Sequence, residues 1–199
     1  HTVLVAFQNG RGNILSKERK TMKNLLVLIS LVAVVVFTAG CISEQNPGNE
    51  NKVSGLEPFD MTLQPSDLPA GYVRGDSLTM TAEQAIQFHV STGYQVQFIN
   101  RSAPPDRTII TQAIFIVPVD EISERFRNAS STTIGTHLSD PGIGEASVAL
   151  RKEESGQAGE TFIISFMKKD VLETLMMSGS QPDYEVLKTV ARTASEKIR

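Results

Sequence analysis

The sequence predicts an α+β fold, an antiparallel sheet of about five to six strands with two to three helices packed on one face. Several segments show apolar residues alternating with polar ones, which is the pattern of a half-buried strand. Helical segments fall between groups of these strands rather than after every strand. That order favours helices beside an antiparallel sheet over the strict strand–helix alternation of a parallel one.

The first predicted elements are a short strand and a short helix. The Pro- and Gly-rich residues 64–72 end the strand. Thr81 is placed to cap a helix that ends near Phe88. The strand is predicted from three apolar residues that alternate with polar neighbours: Phe59, Met61 and Leu63.

The next two strands are expected to form a hairpin. One strand carries Tyr94, Val96 and Phe98 on a single face, and the other is the long β-branched run over residues 109–117. The sequence "APPD" at residues 103–106 is typical of the turn that joins them.

A second helix and three further strands follow. Asp120 is expected to cap this helix, with Ile122 and Phe126 facing inward. A tight turn at residues 168–170 should join the last two strands. The three strands begin near Val148, Thr161 and Val171.

An amphipathic helix closes the sequence. Pro182 is tolerated in its first turn. Its apolar residues follow helical spacing, so one face should pack on the sheet. These residues are Tyr184, Leu187, Val190, Ala191, Ala194 and Ile198.

A secretory leader is predicted before the domain. Met22 and Lys23 lead into an apolar run over residues 25–37, and small residues follow. This pattern predicts a signal peptide over residues 22–40. A spanning helix needs about 20 apolar residues. An uncleaved membrane anchor is therefore the alternative, and it requires several polar or small positions inside the span.

The only cysteine, Cys41, ends this leader. The residues Thr38-Ala39-Gly40-Cys41 resemble the lipobox of prokaryotic lipoproteins, in which the cysteine receives a thioether-linked lipid and the chain is cut just before it. The resemblance implies that Cys41 is lipidated and holds the protein on the extracytoplasmic side of the cell membrane. The polar residues 41–55 would form a flexible tether, and residues 56–199 a single domain.

Residues 1–21 do not fit a leader, because a signal peptide is expected to begin near the start of translation. We expect them to be an upstream extension that is not part of the fold. Peptide mapping of the native precursor tests this expectation, and a peptide from residues 1–20 would contradict it.

Charge excludes one class of partner. The chain has 19 Lys and Arg against 22 Asp and Glu, and residues 1–40 hold five of the former and one of the latter. Residues 41–199 therefore carry 14 positive and 21 negative side chains, a net charge of −7. Nucleic acids require clustered Lys and Arg, so no nucleic-acid partner is predicted.

Two short motifs lie at predicted turns, Asp67-Leu68-Pro69-Ala70-Gly71 and Ile143-Gly144-Glu145-Ala146-Ser147. With them the chain resembles a class of prokaryotic, including archaeal, surface lipoproteins and sensor domains, some of which have a PsbP-like α+β fold. The resemblance covers roughly residues 63–198. It implies a ligand-binding, sensory or assembly-assisting domain, and it transfers no catalytic residue.

The sequence shows no catalytic constellation, and neither a metal site nor a cofactor is predicted. His89 and His137 lack the spacing of metal ligands. Ser139-Asp140 is too close to His137 in sequence for a hydrolase triad. Asn100 and Asn128 each begin an N-x-[ST] sequon and are candidate N-glycosylation sites.

The prediction is therefore a membrane-anchored extracytoplasmic lipoprotein whose domain binds a protein or a small molecule without catalysis. Its ligand and oligomeric state are left open. Two alternatives stay open, an envelope-acting hydrolase with an unrecognised active site and a solute-capture partner of a transporter. A deep polar cleft at His89 or His137 would favour an enzyme, and a shallow apolar groove beside Met176 would favour binding.

Overall fold

A single antiparallel sheet organises the computed structural model, which describes residues 55–101, 107–153, 159–179 and 181–199. The strand order is β1-β2-β3-β7-β6-β5-β4. The described chain therefore has an α+β fold, as predicted, but with seven strands rather than five to six. The strands are β1 (Tyr72–Thr79), β2 (Thr92–Asn100), β3 (Ile109–Ile116), β4 (Thr136–His137), β5 (Ala146–Glu153), β6 (Glu160–Lys168) and β7 (Val171–Gly179).

In the part of the chain that the structure describes, three α-helices and two short 3-10 helices accompany the sheet. The α-helices are α1 (Ala82–Gln87), α2 (Ile122–Thr132) and α3 (Tyr184–Lys197), and the 3-10 helices are Pro58–Met61 and Pro65–Asp67. Thr81 caps α1 as predicted, since its side chain accepts from the Gln84 N–H. The prediction that Asp120 caps α2 is wrong, because the N-cap is Glu121, whose carboxylate instead pairs with Arg125.

The helices lie on both faces of the sheet, so the prediction that they share one face is wrong. Alternate residues of a strand point to opposite faces. On β7, Leu175 belongs to the main core, which includes the apolar face of α3. The neighbouring position Leu172 packs with Ile122 and Phe126 of α2. Because β7 is buried on both faces, its sequence lacks the alternation that would have revealed two helix layers.

The predicted strand at residues 59–63 is also wrong. Pro58 lies in the first turn of a 3-10 helix, and the side chains of Glu57 and Asp60 form a capping box around it. Met61 and Leu63 are fully buried, so the alternation of apolar and polar residues reflects burial of these side chains and not strand pairing. The Leu63 N–H donates to the Gln112 side chain at 2.9 Å instead of to a neighbouring strand.

Candidate functional site

The described domain begins with a leading segment, residues 57–63, which packs against β2 and β3. Met61 and Leu63 anchor this segment, since both are fully buried in the main core. Phe59, between them and the predicted tether, keeps 57% of its surface exposed. The segment therefore holds one aromatic ring at the surface while its other apolar side chains fix its position.

Phe59, Arg74 and Tyr94 form a cluster at this surface, called here the aromatic–arginine cluster. The Phe59 and Tyr94 rings meet edge to face, with centroids 5.6 Å apart. The Arg74 guanidinium carbon lies 5.6 Å from the centroid of the Phe59 ring. Arg74 Nη2 also donates to the Tyr94 hydroxyl at 2.7 Å. The guanidinium is thus held by both rings, through a cation–π contact and a hydrogen bond.

The sheet places Arg74 and Tyr94 side by side. Arg74 of β1 pairs with Phe98 of β2, and Tyr94 lies four residues from Phe98, so all three share one face. A bulge interrupts the register between Arg74 and Ser77. Two neighbouring strands therefore carry Arg74 and Tyr94, and the leading segment adds the Phe59 ring.

Arg74 has unused hydrogen-bonding capacity. Among the residues that the structure describes, no carboxylate lies within ion-pair distance of its guanidinium, although Arg125, Arg151 and Lys197 each have such a partner. A guanidinium carries five N–H donors, and Tyr94 accepts from one nitrogen. The Arg74 guanidinium is half-buried beside the exposed Phe59 ring, and its remaining N–H groups can therefore donate to an acceptor on a bound ligand.

A buried polar pair lies on the same face nearer the centre of the sheet. Gln112 of β3 donates through Nε2 to Glu173 Oε1 of β7 at 2.7 Å. Both side chains are fully buried, and Glu173 Oε2 has no hydrogen-bond partner in the described structure. Burial raises the Glu173 pKa to about 8, and the hydrogen bond from Gln112 opposes the rise only in part. Glu173 is therefore largely a neutral acid at pH 7.

Gln112 connects this buried acid to the leading segment. Its Oε1 accepts from the Leu63 N–H at 2.9 Å, and its Nε2 also lies 3.4 Å from the Met61 carbonyl oxygen. Sequence patterns indicate this pair only weakly, and neither residue was predicted as part of a site. Each is a polar residue at an inward position of an otherwise apolar strand, where burial demands a hydrogen-bond partner.

The two short turn motifs, residues 67–71 and 143–147, have structural roles. Asp67 Oδ2 accepts from the Gln64 N–H at 2.7 Å and from Lys197 Nζ at 2.9 Å, which ties the second 3-10 helix to α3. Burial opposes ionisation of Asp67, but these two donors outweigh it and lower its pKa. At Gly144 φ is +66°, and an added Cβ would lie 2.4 Å from the Met167 carbonyl oxygen. Both motifs therefore serve turns and packing.

The sequence-predicted sites lie apart from the aromatic–arginine cluster. Cys41 lies outside the described residues. Asn100, at the end of β2, is half-buried and hydrogen-bonds to the Tyr72 side chain, and Asn128 is half-buried in α2. Lipidation of Cys41 and glycosylation of the two asparagines remain predictions.

The two histidines of the domain are on the surface. His89 follows α1 and His137 lies in the edge strand β4, and both are exposed. The described ranges contain no group of three His, Cys, Asp or Glu side chains arranged to hold a metal ion. Met176 and Met177 are buried and, as consecutive residues of β7, lie on opposite faces of the sheet.

Comparisons with known proteins leave the family open. A scan against protein-family models finds no match, and a search of curated proteins finds none. Among solved structures, the extracellular domain of PknH from Mycobacterium tuberculosis is similar with a TM-score of 0.48 and 9% sequence identity, covering 73% of this chain and 93% of that one. This similarity establishes neither a family nor a function. Within the described part of the chain, no helix is both long and apolar enough to cross a membrane.

Proposed function

We propose that the protein is a membrane-anchored extracytoplasmic lipoprotein whose domain is a non-catalytic binding module, with the aromatic–arginine cluster as its ligand contact. The observation that carries this proposal is a half-buried Arg74 with no carboxylate partner among the described residues, held beside the exposed ring of Phe59. The leader and the lipobox-like residues before Cys41 support the location.

The cluster fits an anion that also carries an apolar group. Guanidinium groups pair well with carboxylate, phosphate and other oxyanions, because their N–H donors are planar and paired. The exposed Phe59 ring offers an apolar surface to the rest of the ligand. The net charge of −7 over residues 41–199 opposes anion binding in general. Binding should therefore depend on the local cation, Arg74.

The test is an NMR titration of residues 41–199 carrying Cys41→Ser, the predicted mature chain without its lipid. The probe is benzenesulfonate, which combines an oxyanion with an aromatic ring and stays charged at every pH used. We expect amide shifts at Phe59 and Arg74, with weaker binding of sulfate and of benzyl alcohol, each of which supplies one half of the probe. Equal binding of benzyl alcohol would contradict a role for the cation.

Two variants separate the site from general charge. Arg74→Gln should weaken benzenesulfonate binding at least fivefold, while Arg192→Gln, on the exposed surface of α3, removes the same charge and should leave binding unchanged. If both variants bind as the parent does, the proposed site is wrong.

A second assay separates a lipid headgroup from a free anion as the source of the ligand. The same chain is sedimented with phosphatidylglycerol vesicles and with phosphatidylcholine vesicles. Arg74-dependent binding to the first alone identifies an anionic lipid surface, whereas binding of benzenesulfonate without either vesicle identifies a free amphiphilic anion.

A further inference from the structure

We propose that the Glu173–Gln112 pair is a proton-controlled latch: protonated Glu173 keeps the leading segment closed on the sheet, and loss of the proton loosens that segment together with Phe59. The inference rests on the proposed function only for its consequence at the ligand, because Phe59 belongs to the segment that the latch holds. The latch itself is argued from the contacts of Gln112 and Glu173.

The surroundings of Glu173 favour its neutral form. Its direct neighbours across the sheet are Ile114 on β3 and Phe166 on β6, and both are uncharged. The carboxyl group is fully buried, and among the described residues Gln112 alone hydrogen-bonds to it. An ionised carboxylate there would lack both water and a counter-ion, which makes the charge costly.

Charged groups on the surrounding elements have other partners or positions. Lys168, on the same face of β6, donates to the Ser195 carbonyl oxygen at 2.8 Å. Lys197 of α3 pairs with Asp67, while Asp60 of the leading segment is exposed and accepts from the Glu57 N–H. Within the described ranges Asp170, at the turn that starts β7, is the other buried carboxyl group. The α3 residues in the main core are uncharged: Leu187, Val190, Ala191, Ala194 and Ile198.

The leading segment is the cover that yields most readily. The strands β3 and β6 are each paired with β7 along eight or nine residues. The leading segment instead consists of a 3-10 helix and extended residues, and Gln112 of β3 joins it to the sheet by hydrogen bonds at Leu63 and Met61. Letting water reach Glu173 on this side therefore breaks far fewer hydrogen bonds than separating the strands.

Opening of the leading segment should depend on whether Glu173 is protonated. In the closed state Glu173 keeps its proton up to about pH 8, whereas a hydrated carboxyl loses it near the ordinary value of 4.5. Between these limits each pH unit favours the open state by up to tenfold, because the open state releases the proton. Above about pH 8 both states are ionised and the dependence ends.

Hydrogen exchange of the Leu63 amide tests the latch, since this amide donates to Gln112. The unlipidated mature chain and its Glu173→Gln variant are compared at pH 5.5 and 7.5, with rates divided by the intrinsic exchange rate. We expect the corrected rate to rise at least tenfold in the parent chain and to stay level in the variant. A level rate in the parent chain would overturn the latch.

An internal reference covers the case in which Glu173→Gln fails to fold. The amide of Ile114, in the middle of β3, should exchange through general unfolding, which releases the same Glu173 proton and therefore shares its pH dependence. The latch predicts that the corrected rate at Leu63 stays far above the rate at Ile114 at both pH values, whereas equal rates at the two amides would show general unfolding and overturn the latch. Adding benzenesulfonate at pH 7.5 should slow exchange at Leu63. If exchange is pH-dependent but unaffected by the probe, the ligand site fails while the latch stands.

Discussion

At the residue scale, Glu173 should make the stability of the protein depend on pH. The folded chain holds this proton up to about pH 8, and the unfolded chain releases it near pH 4.5. Between these values the folded state binds more protons, so this residue makes the free energy of unfolding fall as pH rises, by at most about 1.4 kcal/mol per unit.

The Glu173→Gln variant tests this pH dependence of stability. It removes the titratable group while keeping the side-chain shape and an oxygen that accepts from Gln112. Urea unfolding of both chains at pH 5 and pH 8 measures the difference. The variant should gain stability relative to the parent as pH rises, with the parent-minus-variant difference falling throughout that range. A difference that is constant with pH would contradict a buried neutral carboxyl group.

Gly144 and Gly142 form a matched pair of turn residues. Both have φ of +66°, but an added Cβ meets the Met167 carbonyl oxygen at 2.4 Å for Gly144 and nothing within 4 Å for Gly142. Gly142→Ala should lose about 1–2 kcal/mol through backbone strain alone. Gly144→Ala should lose clearly more, because a main-chain atom must also move. Thermal unfolding of the two variants measures this, and equal losses would show that the turn relaxes freely.

At the element scale, Asp183 stabilises α3 as its N-cap. Its Oδ1 accepts from the Glu185 N–H at 2.9 Å and from the Val186 N–H at 3.2 Å. Asp183→Ala should therefore lower the free energy of unfolding by about 1 kcal/mol. Asp120→Ala is the control, since Asp120 lies just before α2 without being its cap. Its effect should stay within about 0.5 kcal/mol, and equal effects in chemical denaturation would contradict the capping role.

Strong periodicity explains which elements could be predicted. The antiparallel pairing of β2 with β3, the β6–β7 turn and α3 were correct, because each has a clear apolar period. The turn predicted at residues 103–106 lies outside the described residues. Strand β1 was missed, since Gly75 and Asp76 at its bulge are poor strand formers. The two-residue strand β4 is too short to show a period.

The candidate site was beyond sequence analysis for a different reason. Phe59 was assigned to a strand, and its contact with Arg74 and Tyr94 depends on how the leading segment packs on β1 and β2. Gln112 and Glu173 are 61 residues apart, and they meet only because β3 and β7 are neighbours in the sheet. Such contacts follow from topology, which local patterns do not encode.

At the scale of the whole molecule, the predicted anchor and the proposed ligand surface are close together in the sequence. Residues 41–55, the predicted tether, lead directly into the leading segment that carries Phe59. Truncating Phe59→Ala should therefore weaken benzenesulfonate binding severalfold with little loss of stability, because 57% of this side chain is already exposed. Leu187→Ala, in the buried face of α3, should leave benzenesulfonate binding nearly unchanged and lower the free energy of unfolding by about 2–5 kcal/mol. Titration and urea unfolding of the two variants check this contrast.

The intact mass of the native protein, extracted from membranes with detergent, tests whether the domain is lipid-anchored on the extracytoplasmic side. We expect a chain that begins at Cys41 and carries a diacylglyceryl group. A mass that begins at Met22 without lipid would contradict it and would identify residues 22–42 as a retained membrane anchor.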